Sequence, residues 1–278
     1  MPGLVPGIHV FGAPSAHKTW IGRDKPGHDS RIISPMTTRE RADRLLVARG
    51  LFESRARAQA AINAGLVTAN GVRVRKASEE ISCTADIKAT AEHPYVSRGG
   101  VKLSAALDHF SLETKARICL DVGASTGGFS EVLLLRGAKR VYAVDVGTAQ
   151  LHPRLHTCAQ LVSLENTDIR KLDPVQLDET PDFATVDVSF ISLKLVLPSI
   201  GPLLKSRAAM IALIKPQFEA SRSTAKKGVV RDPAIHAAIC DDIAAFISSL
   251  GWRVGGVMPS PILGGDGNRE FLIEAELG

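Results

Sequence analysis

Aromatic residues are scarce, at 5% of the 278, and no apolar run approaches the roughly 18 residues that cross a bilayer. A bilayer-spanning helix is therefore not expected. The N-terminus lacks the basic-then-apolar order of a secretory signal, so the expected compartment is the cytoplasm. Cysteine is sparse too. Cys83, Cys119, Cys158 and Cys240 form no C-x-x-C pair, which removes the usual zinc spacing and leaves buried free thiols as the plain reading. With 45% hydrophobic and 23% charged residues, what remains has the composition of an ordinary globular protein, long enough for two domains at about 100–200 residues each.

The net charge of +5 is unevenly spread. Residues 36–102 carry 12 Lys and Arg against 7 Asp and Glu, while residues 103–278 carry 18 against 20. Residues 1–35, rich in Gly, Pro, His and Ser, show no period and are read as a disordered tail or a mis-called start, with initiation at Met36. A helix capped by Thr37 or Thr38, with Ala42, Leu45 and Leu46 on its apolar face, is expected to end at Gly50. A second helix follows, capped by Ser54, with Ala56, Ala60, Ala61 and Ile62 buried and a stop at Gly65. Leu66–Thr68, the turn Asn70-Gly71 and Val72–Val74 then read as a tight hairpin. The unit at 37–86 carries Arg39, Arg41, Arg44, Arg49, Arg55, Arg57, Arg73, Arg75 and Lys76, against few acids. So many cations on so small a unit suit a phosphate-binding surface, though a merely solvated basic face has the same composition.

The segment resembles the small RNA-binding domain named after a ribosomal small-subunit protein, through Arg41-Ala-Asp-Arg44-Leu-Leu, Ser54-Arg-Ala-Arg57-Ala and Gly65-Leu-Val-Thr-Ala-Asn-Gly71. The resemblance implies contacts to the RNA backbone, with Arg98, in a linker over 87–101, adding a further cation.

Residues 102–278 alternate near-continuously apolar strands with helices, the text of a mostly parallel sheet covered on both faces. The first crossover, Asp121-Val-Gly123-Ala-Ser125-Thr126-Gly127-Gly128-Phe129-Ser130, has glycines spaced G-x-x-x-G-G in place of G-x-G-x-x-G, which disfavours a dinucleotide pyrophosphate. Asp121 there, Asp145 about twenty residues on and Asp168 after the third strand suit a cation, ribose hydroxyls and an adenine amino group. Any one of them alone reads as well as a turn or cap aspartate. Three acids without a phosphate cradle point to S-adenosylmethionine, with contacts expected from Asp121, Gly123, Ser125, Thr126, Gly127, Gly128, Phe129, Asp145, Val146, Asp168, Ile169 and Asp187. The expected fold is a Rossmann-like adenosylmethionine methyltransferase domain with a seven-stranded sheet.

Four further charges lie in strongly apolar or glycine-rich text: Lys102, Asp187, Lys215 and Glu270. A lysine that ends an apolar strand costs desolvation energy unless paired, so each has either a structural partner or a task. With their surroundings, Tyr95-Val-Ser-Arg-Gly-Gly-Val-Lys102, Asp187-Val-Ser-Phe-Ile-Ser192, Lys215-Pro-Gln-Phe-Glu219 and Gly267-Asn-Arg-Glu270-Phe-Leu272, they resemble the TlyA (haemolysin A) family of ribosomal RNA 2'-O-methyltransferases over about 37–278. The catalytic half is similar to FtsJ-type ribose methyltransferases. That similarity implies a Lys102-Asp187-Lys215-Glu270 tetrad and, as substrate, cytidine ribose in 23S ribosomal RNA, with 16S RNA a second target in some members. The expected roles are Lys215 as base, Lys102 holding the substrate and lowering the proton affinity of Lys215, and Asp187 and Glu270 orienting the two. No metal is required by this scheme. The competing readings are membrane lysis, which the family's older name suggests, a non-catalytic RNA-binding protein, and a small-molecule methyltransferase. Lysis would call for a strongly amphipathic basic helix with aromatic anchors, which the sequence lacks.

Overall fold

The computed structural model describes residues 38–91, 93–220, 228–264 and 267–278. The expectation for residues 1–35 lies outside these, as do the Thr37 cap and Gly265-Asp266. The first unit packs α1 (Ala42–Ala48) and α2 (Arg55–Asn63) on short strands: β1 (Arg39–Arg41), β2 (Val67–Ala69), β3 (Val72–Arg73), β4 (Glu80–Ser82) and β5 (Ile87–Ala89). Ser54 caps α2 by accepting the Arg57 N–H, and Asn70 and Gly71, both at positive φ, close the β2–β3 hairpin. Leu45, Leu46, Phe52, Ala58, Ala61, Ile62, Val67 and Ile81 form its core.

Three expectations need correction here. Residues 39–41 are a strand, paired antiparallel with 80–82, so α1 starts at Ala42 with no side-chain cap, and Thr38 caps nothing. On α2, Ala58, Ala61 and Ile62 are buried while Ala56 is exposed, because the core-facing rows run i, i+3, i+4 from Ala58. Residues 87–101 are not all linker: β5 pairs with β2, and Gly99–Val101 open the next helix.

The second unit consists of α3 (Gly99–His109), β6 (Ile118–Val122), α4 (Gly128–Leu135), β7 (Arg140–Val144), α5 (Pro153–His156), β8 (Leu161–Leu164), β9 (Phe183–Val186), α6 (Leu193–Val196), β10 (Ala209–Ile214), α7 (Pro216–Glu219), α8 (Pro233–Ser249), β11 (Trp252–Pro259) and β12 (Phe271–Leu277). After β9, α6 stops at Val196 and the chain continues as short 3-10 turns, since Pro198 and Pro202 cannot donate to an α-helical ladder. The seven strands run β11-β12-β10-β9-β6-β7-β8. Pairs among β8, β7, β6, β9 and β10 are parallel; β12 runs antiparallel to both of its neighbours. Every residue of β6, β9 and β10 is buried, as a sheet covered on both faces requires. One face packs on α6 and α8 through Leu193, Val196, Ile243 and Ile247, the other on α3 and α4 through Leu103, Leu107, Phe129 and Leu133.

Candidate active site

The strand order reverses between β6 and β9, which diverge from neighbouring positions in the sheet, and there the carboxyl ends leave a crevice. A cavity of about 490 Å³ opens at this point, lined by Gly123, Ser125, Asp145, Val146, Asp168, Ile169, Asp187, Ser189, Phe190 and Ile191 among others. Asp145 braces its mouth: one oxygen accepts the Ser125 N–H at 2.7 Å and the other the Gly147 N–H at 2.7 Å. Asp168 caps a 3-10 turn through the Arg170 N–H and pairs with the Arg170 guanidinium at 2.7 Å. That side-chain bond, with the backbone one, holds the Asp168 carboxyl down at about 2.

Asp121 is a correction. Its carboxylate is fully buried within β6 and lines neither site cavity; it accepts Ser130 Oγ–H at 2.6 Å and Thr185 Oγ1–H at 2.8 Å. Burial pushes it up to about 6 against the lowering effect of those two hydroxyls. It ties β6 to β9 and α4. The loop glycines serve close backbone approach as well as ligand access. A Cβ on Gly123, at φ +82°, would stand 2.6 Å from the Asp187 carbonyl oxygen, and one on Gly128 would collide with Ser97 Oγ. Gly127 lies against Leu151 and Leu155 and lines neither cavity.

A second cavity of about 300 Å³ adjoins the first and shares Gly123, Ser125, Asp187 and Ser189 with it. Ser97, Arg98, Lys102, Thr126, Gly128, Phe129 and Lys215 complete much of its wall. Topology delivers its charges. Asp187 follows β9 and Lys215 follows β10, two parallel neighbours, so both stand at carboxyl ends. Because β12 is antiparallel to β10, with Phe271 opposite Ile214, Glu270 enters from the same end. Lys102 comes from the first turn of α3, which the Gly128–Ser97 approach holds over the start of α4. The result is two ion pairs, Lys102 Nζ–Glu270 Oε2 at 2.5 Å and Lys215 Nζ–Asp187 Oδ1 at 2.6 Å, with both lysine side chains 10% exposed. Lys215 also donates to Ser189 Oγ at 2.7 Å. Glu270, 3% exposed, stands behind Lys102 and does not reach the cavity wall. Strand β9 ends at Val186. Phe190, at φ +65° and 91% exposed, turns the following loop and sets its ring 5.1 Å from that of Phe218. Ser97, Ser189 and Phe190 were not singled out as site residues from sequence, since a serine or a lone aromatic in a loop carries no period or charge signal.

The arginines of the first unit divide into two groups. Arg41 and Arg55 reach the fully buried Asp43, which the Arg41 guanidinium and its neighbours hold well below the usual carboxylate range. Arg49 donates to the Cys83 and Ala85 carbonyls, and Arg57 to those of His93 and Val96. Arg39 donates to the Glu80 carbonyl yet stays exposed. Arg44, Arg73, Arg75 and Lys76 are exposed and enter no ion pair among the described residues. Glu53 beside Arg57 meets His152 of the second unit at 2.8 Å.

Residues 95–277 match the FtsJ-like methyltransferase family and residues 40–86 match the S4 domain. The 16S/23S rRNA (cytidine-2'-O)-methyltransferase TlyA of Mycobacterium tuberculosis is 41% identical over 241 residues, covering 86% of this chain and 90% of that protein. The chain belongs to the TlyA family. YqxC of Bacillus subtilis is 47% identical over 240 residues, covering 84% of this chain and 85% of its own length. A solved structure from Streptococcus thermophilus, described as a hemolysin, shares 44% identity at a TM-score of 0.69 and covers 87% of this chain and 89% of that one. A TlyA-family chain with an FtsJ-like domain is a methyltransferase, and that domain implies S-adenosylmethionine as methyl donor. The larger cavity has a suitable donor set: apolar walls at Val146, Ile169 and Ile191 for a flat base, carboxylates at Asp145 and Asp168 for hydroxyl and amino groups, and its one cation, Arg170, already paired with Asp168.

Proposed function

We propose that the protein transfers a methyl group from S-adenosylmethionine to the 2'-hydroxyl of a cytidine in ribosomal RNA, with the 23S molecule as the first candidate and the 16S molecule as the second. The observation that carries this reading is the pair of buried lysine–carboxylate contacts in a cavity that shares Gly123 and Asp187 with the nucleoside-sized one. When bound, the cofactor supplies an electrophilic methyl on a sulfonium. Asp145 and Asp168 would hold its ribose and adenine, and Val146, Ile169 and Ile191 would flank the base.

The chain's own residues do the rest. A ribose hydroxyl is a poor nucleophile until its proton is withdrawn, which requires a base within hydrogen-bond reach. Lys215, in its neutral form, would take that proton onto Nζ as the 2'-oxygen displaces the neutral thioether from the methyl carbon, and would return it to solvent before the next turnover. Asp187 orients Lys215. Lys102, locked by Glu270, fixes the ribose and adds positive charge near the 2'-oxygen as it becomes anionic. Most of the acceleration comes from alignment, which supplies roughly 7–11 kcal/mol when two reactants are held in line. Arg44, Arg73, Arg75 and Lys76 would meet the RNA backbone away from the reacting ribose, with Arg98 at the cavity wall meeting the backbone beside it.

The test is methyl transfer from radiolabelled S-adenosylmethionine to ribosomal subunits lacking the modification. Label should appear on cytidine 2'-oxygen after nuclease digestion, in the large-subunit RNA. Label confined to a base nitrogen or carbon, or none in RNA, contradicts the reading. Among the described residues no helix is long and apolar enough to cross a membrane.

A further inference from the structure

We propose that Ser189 is a positioning residue that aims the lone pair of Lys215 at the substrate hydroxyl. The inference rests on Lys215 being the base and adds how that base is oriented. A neutral primary amine has two N–H bonds and one lone pair, arranged roughly tetrahedrally about nitrogen, and it rotates freely about Cε–Nζ unless its hydrogens are held. Around Lys215 Nζ, Ser189 Oγ accepts a hydrogen bond at 2.7 Å, and Asp187 Oδ1 lies at 2.6 Å as an ion-pair contact that makes no hydrogen bond. The bond to Ser189 fixes the rotation about Cε–Nζ, and the Asp187 charge favours a hydrogen over the lone pair on its own side, so the lone pair takes the remaining direction, in the cavity that the three residues line together. Asp187 alone attracts the hydrogens without fixing the rotation; the serine hydroxyl supplies that restraint.

The loop is built to keep the hydroxyl there. Ser189 is itself exposed. Directly after it, Phe190 sits in the left-handed region, a strained position for a residue with a side chain. Its ring packs on Phe218, three residues beyond Lys215, so the loop carrying the acceptor is clipped to the segment carrying the donor. Asp187, two residues before Ser189, is joined to the same lysine. The hydroxyl, the carboxylate and the amine therefore stand on segments that are tied to one another.

The test uses the full-length protein with ribosomal subunits as substrate. Ser189→Ala should lower kcat about tenfold, the effect of one lost hydrogen bond at a reacting group, while KM for the subunits and affinity for S-adenosylmethionine stay within about twofold. Ser189→Thr keeps the hydroxyl, and the exposed site has room for the methyl, so kcat should return to within about threefold of the parent. A Ser189→Ala enzyme with unchanged kcat overturns the proposal, as does a loss that appears in KM or cofactor affinity alone, or one that Ser189→Thr does not repair. Lys215→Ala is run alongside. If it retains turnover, the base assignment fails first; if it is inactive while Ser189→Ala is fully active, only the positioning role falls.

Discussion

In the smaller cavity, Lys102 and Lys215 are each 10% exposed and each meets a carboxylate within 2.6 Å, whereas in the N-terminal unit Arg44, Arg73, Arg75 and Lys76 stand in solvent with no ion pair among the described residues. The same sign of charge is used in two ways. A buried lysine has lost its hydration and depends on its partner's position, so its effect is local, steep and little screened by salt. An exposed arginine keeps its water and contributes to a field that falls off within about 8–10 Å at ordinary ionic strength. Substitutions in the cavity should therefore be large, specific to one step and insensitive to salt. In the N-terminal unit they should be small, cumulative and visible mainly through salt dependence.

The largest effect is expected at Lys215. Lys215→Ala should reduce turnover by roughly 10²–10⁴-fold, the usual contribution of a positioned base, with cofactor affinity by calorimetry within about twofold of the parent. A variant that loses cofactor binding yet keeps methylating would reverse the assignment of the two cavities. Next comes Glu270→Ala, which leaves Lys102 buried without its partner. Breaking a buried pair from one side costs about 3–5 kcal/mol, so the denaturation midpoint should drop as turnover does, whereas Lys215→Ala should move turnover far more than stability. Equal stability losses for the two would erase the distinction between a locked lysine and a reactive one.

Asp121 gives a pH signature separate from both groups. Its folded-state value, about 6, lies above the ordinary carboxylate value because of burial. Below both values the two states are equally protonated. As pH rises from about 4 to about 6, the unfolded chain ionises first, and the folded state loses up to about 3 kcal/mol relative to it. Asp121→Asn should flatten that stretch of the stability profile, read from urea midpoints at several pH values. An unchanged slope would mean that the group is not held neutral. The smallest effect per residue is expected for the exposed cations. Replacing Arg44, Arg75 and Lys76 together by Ala should lower the salt dependence of RNA binding by about 2, at about 0.7 per single-strand phosphate contact, and leave the melting temperature nearly unchanged. Arg41 and Arg55, committed to Asp43, should show the reverse pattern: lost stability and little change in slope.

Much of the second unit was readable because its signals are chemical. The apolar strands Ile118–Val122 and Ala209–Ile214 stand out against helix text, and a lysine or aspartate ending such a strand is conspicuous. Asp187 and Lys215 stand out for that reason, Lys102 and Glu270 for their glycine-rich or apolar surroundings, and the structure brings the four into two contacting pairs. Asp121 shows the limit. Spacing places a carboxylate at a strand end but does not say which side it faces, and here the hydroxyls of Ser130 and Thr185 claim it. The strands at 39–41, 80–82 and 87–89 went unread because three mixed polar and apolar residues carry no period; their pairing partners lie tens of residues away. Which arginines of the first unit are free was equally invisible, since it depends on the buried Asp43 and on carbonyls of the connecting segment.

The account is tested most directly by mapping ribose methylation across both ribosomal RNAs in cells carrying the parent protein, no protein, or Lys215→Ala. A cytidine 2'-O-methyl group present with the parent and missing from the other two is the predicted result. Identical maps in all three strains would contradict it.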